Sequence, residues 1–163
     1  MKRLLSAFGL VLLLAAGQAS ANIIYTFSGV TFDDGGTLTG TFTTDDAITA
    51  LLDYDITTSA GISIGYHYTP ATSASGSTSL PFIIVLTAPL GDVLQVTFNG
   101  GLTALGAPIT IGTFDSFEQT TAPARRDITA GSVIVGSVPE PWTIGLLGIG
   151  VLGLLAARRR RQA

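Results

Sequence analysis

Apolar side chains recur at every second position through most of residues 22–138, which is the pattern of half-buried β-strands. The pattern begins at residues 23–27, and after Gly29 its phase shifts by one residue to Val30 and Phe32. A phase shift of this kind predicts a β-bulge at Gly29. A Gly-rich turn and a second alternating stretch follow, so a β-hairpin is predicted over residues 23–44.

The same period predicts further short strands, separated by turn signals every 8 to 12 residues. They are expected at residues 52–56, 62–68, 80–86, 94–98 and 128–138, with one or two more within residues 102–118 around Ile109, Ile111 and Phe114. The unbroken apolar run 80–86 is expected to be a central strand that is buried on both faces. No stretch of residues 22–137 has a convincing helical period. The predicted fold class is therefore all-β, an antiparallel β-sandwich or a small β-barrel, and the sandwich is favoured.

Two segments outside this pattern are predicted to flank the β-domain as helices. At the N-terminus, a basic pair precedes a 13-residue apolar stretch and the small-residue sequence Ala19-Ser20-Ala21. This arrangement is typical of a secretory signal peptide over residues 1–21, cleaved after Ala21. The domain that follows, residues 22–137, is then expected to lie outside the cytoplasm.

The C-terminal segment, residues 138–163, has three parts. Pro139 and Pro141 restrict their own backbone and that of Val138 and Glu140, so this stretch is a stiff spacer. Residues 142–157 carry no charge and, as a helix, would span about 24 Å at about 1.5 Å per residue. They are predicted to be a short transmembrane helix. The basic tail, residues 158–163, opens with Arg158, Arg159, Arg160 and Arg161, which the positive-inside rule holds on the cytoplasmic side.

This order of Pro-Glu-Pro, short apolar helix and basic cluster resembles the PEP-CTERM sorting signal of Gram-negative envelope proteins. Trp142 follows the second proline, where the family more often has a small residue. The resemblance implies a protein that the general secretion machinery exports across the inner membrane and that the membrane peptidase exosortase processes at Val138, Pro139, Glu140 and Pro141. The precursor would be membrane-anchored, and the mature form would lie at the cell surface or outside the cell.

The composition excludes some classes of binding partner and some kinds of chemistry. Between Asn22 and Pro139 the chain has two arginines and no lysine against ten carboxylates, a net charge of −8. A body this acidic repels nucleic acid, so no nucleic-acid binding is predicted. The chain has no cysteine, which excludes disulfides, thiol catalysis and cysteine-based metal sites.

Few residues of the body suggest chemistry. Asp33, Asp34, Asp53 and Asp55 are weak candidates for a calcium site, because aspartate is also an ordinary turn residue, and no metal or cofactor is predicted. Gly61-Ile62-Ser63-Ile64-Gly65 has the G-x-S-x-G form of a hydrolase nucleophile, but it lies in a strand pattern. His67, the one histidine, is expected to face solvent. The side chains of Tyr54, Tyr66 and Tyr68 are expected to fill the core, with a sugar-binding face as the alternative.

We therefore expect a non-enzymatic protein of the cell envelope or extracellular matrix, structural or associated with exopolysaccharide and biofilm, with extracellular polysaccharide as a further partner. The alternative is a secreted hydrolase, or a carbohydrate- or calcium-binding β-sandwich module, that carries the same sorting tail.

Overall fold

The computed structural model describes residues 22–61, 64–76, 78–120 and 125–136, together with residue 150. The described part of the body consists of strands, turns and bends. Its ten strands are β1 (Ile23–Phe32), β2 (Thr37–Thr44), β3 (Leu51–Thr58), β4 (His67–Tyr68), β5 (Ala74–Ser75), β6 (Ile83–Thr87), β7 (Val93–Thr97), β8 (Ile109–Thr110), β9 (Phe117–Gln119) and β10 (Arg125–Val135).

All the strand pairs are antiparallel, which confirms the predicted all-β antiparallel class. The strands form one sheet in the order β4-β3-β2-β1-β10-β9-β7-β6-β5, with β8 paired to β10 off this path. The sheet is curled into a half-barrel, so one sheet that folds over on itself replaces the two-sheet sandwich that the sequence favoured. The first and last strands of the order, β4 and β5, are consecutive in the chain, and a short turn at residues 69–73 links the two sheet edges.

A contact across the core measures the curl. β4 and β9 are five strand positions apart, or about 24 Å in a flat sheet at about 4.8 Å per strand. The hydroxyl of Tyr68 in β4 nevertheless donates a hydrogen bond to Glu118 in β9 at 2.8 Å. The two side chains can meet only because the sheet brings its inner faces together.

The predicted hairpin over residues 23–44 is confirmed, and so is the bulge. The register of β1 shifts near Gly29 against both of its neighbours, β2 and β10. Gly29 has a φ of 61°, the left-handed region that glycine adopts without strain. Across the pair, Gly131 has no side chain where a Cβ would lie 2.7 Å from the Cα of Val30, so the two strands approach closely at the bulge.

The core lies on the concave face of the sheet and takes the inward residues that the alternation predicts. The rings of Tyr25, Phe27, Phe42 and Phe98 form a continuous aromatic group, with Tyr25 stacked on Phe42 at a centroid distance of 4.8 Å. Aliphatic side chains from β2, β3, β6, β7 and β10 surround it. The remaining buried residues of β1, β2, β3 and β10 hold the phase that the sequence predicts.

Three strand predictions were wrong in detail. The run 80–86 is not a central strand, because residues 80–82 form a turn with a cis Leu80–Pro81 bond and β6 begins at Ile83 beside the edge strand β5. The two faces of β6 are unequal, with Ile84 and Leu86 buried and Ile83 half-buried. An apolar run alone does not reveal which face is covered.

The other two errors concern residues that the alternation placed in strands. Ile64 is 83% exposed, since the strand after β3 is reduced to His67–Tyr68. Phe114 is 91% exposed in a bend between β8 and β9. In both places a short irregular connection matches the period of two by coincidence.

The predicted signal peptide lies outside the described residues. Of the predicted transmembrane helix, only residue 150 is described. Among the described residues, no helix has the length and apolar character that a membrane crossing requires.

Candidate functional site

The most unusual feature of the described core is an ion pair between Glu118 and Arg126. The side chains of both residues are at most 1% exposed. The two residues are direct cross-strand partners in β9 and β10, so their side chains leave the sheet side by side on its concave face. Arg126 Nε donates to Glu118 Oε2 at 2.7 Å, and Arg126 Nη2 contacts the same oxygen.

The other carboxylate oxygen of Glu118 binds two hydroxyls from the far side of the curled sheet. Glu118 Oε1 accepts hydrogen bonds from Tyr68 of β4 and from Thr58 of β3, each at 2.8 Å. Thr58 also accepts a hydrogen bond from the backbone N–H of Tyr66 at 2.9 Å, which fixes the start of β4 against the end of β3. One carboxylate therefore joins β3 and β4 to β9.

Arg126 extends the network to the turn between β1 and β2. Its Nη1 lies 3.4 Å from Asp34 Oδ2, and its guanidinium stacks on the ring of Phe32 at 4.2 Å. Asp34 Oδ1 in turn accepts a hydrogen bond from the N–H of Gly36 at 2.9 Å, which closes the turn. We name Asp34, Thr58, Tyr68, Glu118 and Arg126 the buried polar network.

The network has the features of a structural link, because its charges are paired and its hydroxyls are engaged. Burial and the adjacent negative charge of Glu118 raise the pKa of Tyr68 well above its ordinary value, so the phenol stays protonated and keeps donating. Removing either charged partner would leave the other buried and uncompensated.

This network is not among the sites predicted from the sequence, although the sequence contains two signals for it. Glu118 is the one glutamate between Asn22 and Pro139, and Arg125 and Arg126 are the two basic residues of that region. Arg126 also has the same strand phase as Ile128, which is buried, so the period of two places the arginine inward. A net charge over the whole body does not show on which face of a strand each charge lies.

His67 faces solvent, as predicted, but it has an acidic partner that the linear sequence did not suggest. Its Nε2 lies 2.6 Å from Asp55 Oδ1, and the two side chains are 55% and 72% exposed. Asp55 is on β3 and His67 on β4, where the diagonal position across the strand pair brings them together. Ser63, the candidate nucleophile, lies outside the described residues.

The four aspartates weighed for calcium do not converge. Asp33 and Asp34 follow the end of β1, whereas Asp53 pairs with Thr43 at the opposite end of the hairpin. Asp34 belongs to the buried polar network, Asp33 Oδ1 accepts from the N–H of Asp127 at 3.2 Å, and Asp55 binds His67. Within the described ranges, no three side chains of the types His, Cys, Asp and Glu are grouped closely enough to hold a metal ion.

The tyrosines lie largely in the core, which favours the core interpretation over a sugar-binding face. Tyr54 and Tyr68 are buried, and Tyr66 is partly buried against the core with its ring edge-on to Tyr68 at 4.7 Å. The predicted processing residues Ala19, Ala21, Val138, Pro139, Glu140 and Pro141 and the arginines 158–161 lie outside the described residues.

Fold and site together define an antiparallel β-domain without cysteine whose buried charges hold the curled sheet together. Residues 137–161 match the family model described as the PEP-CTERM protein-sorting motif, so the chain carries this motif. The motif indicates a protein that exosortase processes and that is sorted to the cell surface or the extracellular space. No curated protein and no solved structure matches the chain.

Proposed function

We propose that the protein is a non-enzymatic structural component of the cell envelope or extracellular matrix, associated with exopolysaccharide or biofilm. The observation that carries the proposal is the sorting motif at residues 137–161, which sends the attached domain to the cell surface. In this proposal a signal peptide at residues 1–21 directs export, and a transmembrane helix at residues 142–157 anchors the precursor until cleavage near Pro139 releases it.

The positions and contacts of the polar groups in the described domain support a structural role. Its buried charges are engaged in holding strands together. Its convex face on β2 and β3 is rich in hydroxyls, with Thr37, Thr39 and Thr57 exposed. Hydroxyls on a sheet can exchange hydrogen bonds with a hydrated polysaccharide, and the absence of lysine keeps this face from binding nucleic acid.

Mass spectrometry of the protein from its native host tests the sorting steps. The wild type should appear as a species that begins at Asn22 and ends near Pro139, in the cell-surface or extracellular fraction. Glu140→Ala should remain longer by the tail and stay with the membrane, while Gln162→Ala, a change in the same tail outside the motif, should be processed normally. If the wild type and both variants remained full-length in the membrane, an uncleaved anchor would replace the sorting proposal.

The matrix role needs its own measurement. The released domain should co-sediment with exopolysaccharide isolated from the same host, and a strain that lacks the protein should form a weaker biofilm. A released domain that stays in the supernatant, together with an unchanged biofilm, would contradict the matrix role and leave the sorting steps intact.

A hydrolase is the second candidate, because the contact between His67 and Asp55 is the arrangement that orients a general base. In this alternative Ser63 is the nucleophile and the secreted domain acts on an ester. The test is hydrolysis of chromogenic ester substrates by the wild type, Ser63→Ala and His67→Ala. Turnover that both substitutions abolish would establish the alternative, and equal background rates would remove it.

A further inference from the structure

Both termini of the described domain lie at the same end of the half-barrel. β1 starts at Ile23 and β10 ends at Val135, and the two antiparallel strands pair Tyr25 with Val135. The N–H of Gly136 donates to the carbonyl of Ile24 at 2.6 Å, so the chain is held beside the start of β1 as it leaves the sheet. We name this side of the half-barrel the exit end.

Four of the seven large apolar side chains that are exposed on the described surface belong to the exit end. They are Leu52, Phe82, Leu105 and Ile134, which are between 43% and 81% exposed. Leu52 lies at the start of β3, and Ile134 is the second-last residue of β10. Ile64 and Leu90 lie towards the other end, and Phe114 lies in the bend that precedes β9.

The loop between β7 and β8 contains Leu105, the most exposed of these four apolar side chains. Its Thr103 carbonyl accepts a hydrogen bond from Tyr25 at 3.1 Å, which ties the loop to the level at which β1 begins. Leu105 follows two residues later and is 81% exposed. Phe82 lies beside the same loop, because the neighbouring carbonyl of Pro81 accepts from the N–H of Leu102 at 2.9 Å.

The length of chain beyond the domain limits how far the exit end can move from a bilayer. Six residue steps separate Gly136 from Trp142, where the predicted membrane segment begins, and they reach at most about 22 Å at about 3.6 Å per residue. A strand of ten residues such as β1 is about 33 Å long. An anchored precursor therefore keeps the exit end near the lipid surface, and the opposite end can lie well away from it.

We propose that the exit end rests on the lipid bilayer while the sorting tail is attached, with Leu105 and Phe82 inserted among the lipid headgroups. This inference rests on the proposed function, because it requires the tail to anchor the precursor. Exposed apolar side chains gain free energy when they leave water for the interface. After cleavage two side chains contribute too little to hold the domain, so the domain leaves the membrane with its tail removed.

The charges at the exit end specify the kind of lipid surface. Asp45, Asp46 and Asp53 lie at this end, on the side of the β2–β3 connection. Carboxylates repel an anionic headgroup layer, and no lysine of the domain offsets them. The partner is therefore a neutral or zwitterionic bilayer surface, and a high content of anionic lipid should weaken the contact.

Because the natural chain has no cysteine, a single introduced cysteine can carry an environment-sensitive fluorophore. The full chain would be reconstituted into phosphatidylcholine vesicles with the label at Leu105→Cys or, as the matched control, at Leu90→Cys, which is 75% exposed at the opposite end. We expect a blue-shifted emission for position 105 and quenching by doxyl-labelled lipid at least several-fold stronger than at position 90. Replacing part of the phosphatidylcholine with phosphatidylglycerol should reduce this difference.

Three other results of this experiment would contradict the membrane contact in different ways. Equal quenching at positions 105 and 90 in vesicles that carry the protein would overturn the inference and leave the anchoring intact. A blue shift at position 105 without quenching by the doxyl lipid would indicate contact between copies of the chain and would also overturn it. Failure of the full chain to float with the vesicles would overturn both the anchoring and the membrane contact.

Discussion

Arg125 and Arg126 are consecutive residues of β10, yet they lie on opposite faces of the sheet. The Arg125 side chain is 46% exposed and pairs with Asp127 at 2.7 Å, whereas the Arg126 side chain is 1% exposed and pairs with Glu118 and Asp34. The two basic residues of the domain thus form a surface ion pair and a buried one. Substitutions at these two neighbouring positions therefore compare the loss of a surface ion pair with the loss of a buried one.

Substitution of these arginines should have very different effects on stability. We expect Arg126→Ala to lower the free energy of unfolding by about 3–5 kcal/mol, because Glu118 is left charged in the core. Arg125→Ala should cost less than about 1 kcal/mol, as for other exposed pairs. Urea unfolding of both variants measures the difference, and equal losses would contradict the structural role of the network.

Because Gly36 and Gly61 have no side chains, there is room beside them for the buried carboxylate of Asp34 and the guanidinium of Arg126. A Cβ on Gly61 would overlap the carboxylate of Asp34, whose side chain is 2% exposed and held by Arg126. Gly61→Ala should therefore destabilise the fold by about 1–3 kcal/mol. Gly112→Ala is the control, since its Cβ would meet only side-chain atoms, Asn99 Oδ1 at 3.1 Å and Thr97 Cγ2 at 3.5 Å. A Gly61 variant as stable as the Gly112 variant would show that Asp34 can move aside.

The sequence predicts the strands better than it predicts the network. Alternation correctly identifies β1, β2 and the bulge at Gly29, because side chains of a half-covered sheet must alternate between core and solvent. It fails at Ile64 and Phe114, where short connections pass through the same period without strand partners. Local pattern contains no information about pairing, so the curl of the sheet is not predictable from it.

The meeting of Tyr68 with Glu118 depends entirely on this curl, since 50 residues separate the two in sequence. The buried polar network is therefore a property of the sheet order, which one sequence does not specify. The inward phase of Arg126 was predictable, but its partners on β3 and β4 were not. In contrast, the sorting motif is a contiguous segment with its own physical signature, and it is readable from the sequence without any fold.

Asp45 organises the connection between β2 and β3. Its carboxylate accepts hydrogen bonds from Thr49 N and Thr49 Oγ1 at 2.6 Å and from Ala50 N at 2.8 Å, and these bonds lower its pKa. We expect Asp45→Ala to lower the thermal midpoint at pH 7, whereas Asp46→Ala, a change at the exposed neighbour, should leave it unchanged.

The Asp45 effect should also depend on pH. Because the pKa of Asp45 is lower in the folded protein, its ionised carboxylate stabilises the fold at pH values above the unfolded pKa of about 3.9. This stabilisation is lost as the pH falls through the pKa of the folded protein. The difference between the wild type and Asp45→Ala should therefore shrink under acid conditions. A difference that stays constant from pH 7 to pH 3 would contradict a role for the carboxylate charge.

Calcium should not stabilise the domain. Asp34 and Asp55 are engaged with Arg126 and His67, and Asp53 lies at the other end of the hairpin from Asp33. A ligand raises the stability of a protein only if it binds the folded state. The thermal midpoint should be the same in a millimolar excess of Ca²⁺ and in EDTA. A rise that Asp53→Ala or Asp55→Ala abolishes would establish a site on β3.

Tyr68 should make the fold sensitive to alkaline pH. Its pKa is raised by burial and by Glu118, so above the unfolded value of about 10 the unfolded chain loses a proton that the folded chain keeps. Stability is then fully present below that pH and falls above it, by about 1.4 kcal/mol per pH unit for this group. Tyr68→Phe removes the titrating phenol, and its unfolding free energy should fall less steeply between pH 10 and pH 11.

At pH 8, by contrast, the same substitution should make the fold less stable than the wild type. Tyr68→Phe removes a hydrogen bond to the charged Glu118 carboxylate and should cost about 1.5–3 kcal/mol at pH 8. The two stability curves should therefore converge as the pH rises. Tyr25, whose pKa is also raised by burial, remains in both proteins and gives both curves a common slope. Parallel curves in urea unfolding from pH 8 to pH 11 would show that Tyr68 ionises as readily in the folded protein as in the unfolded chain.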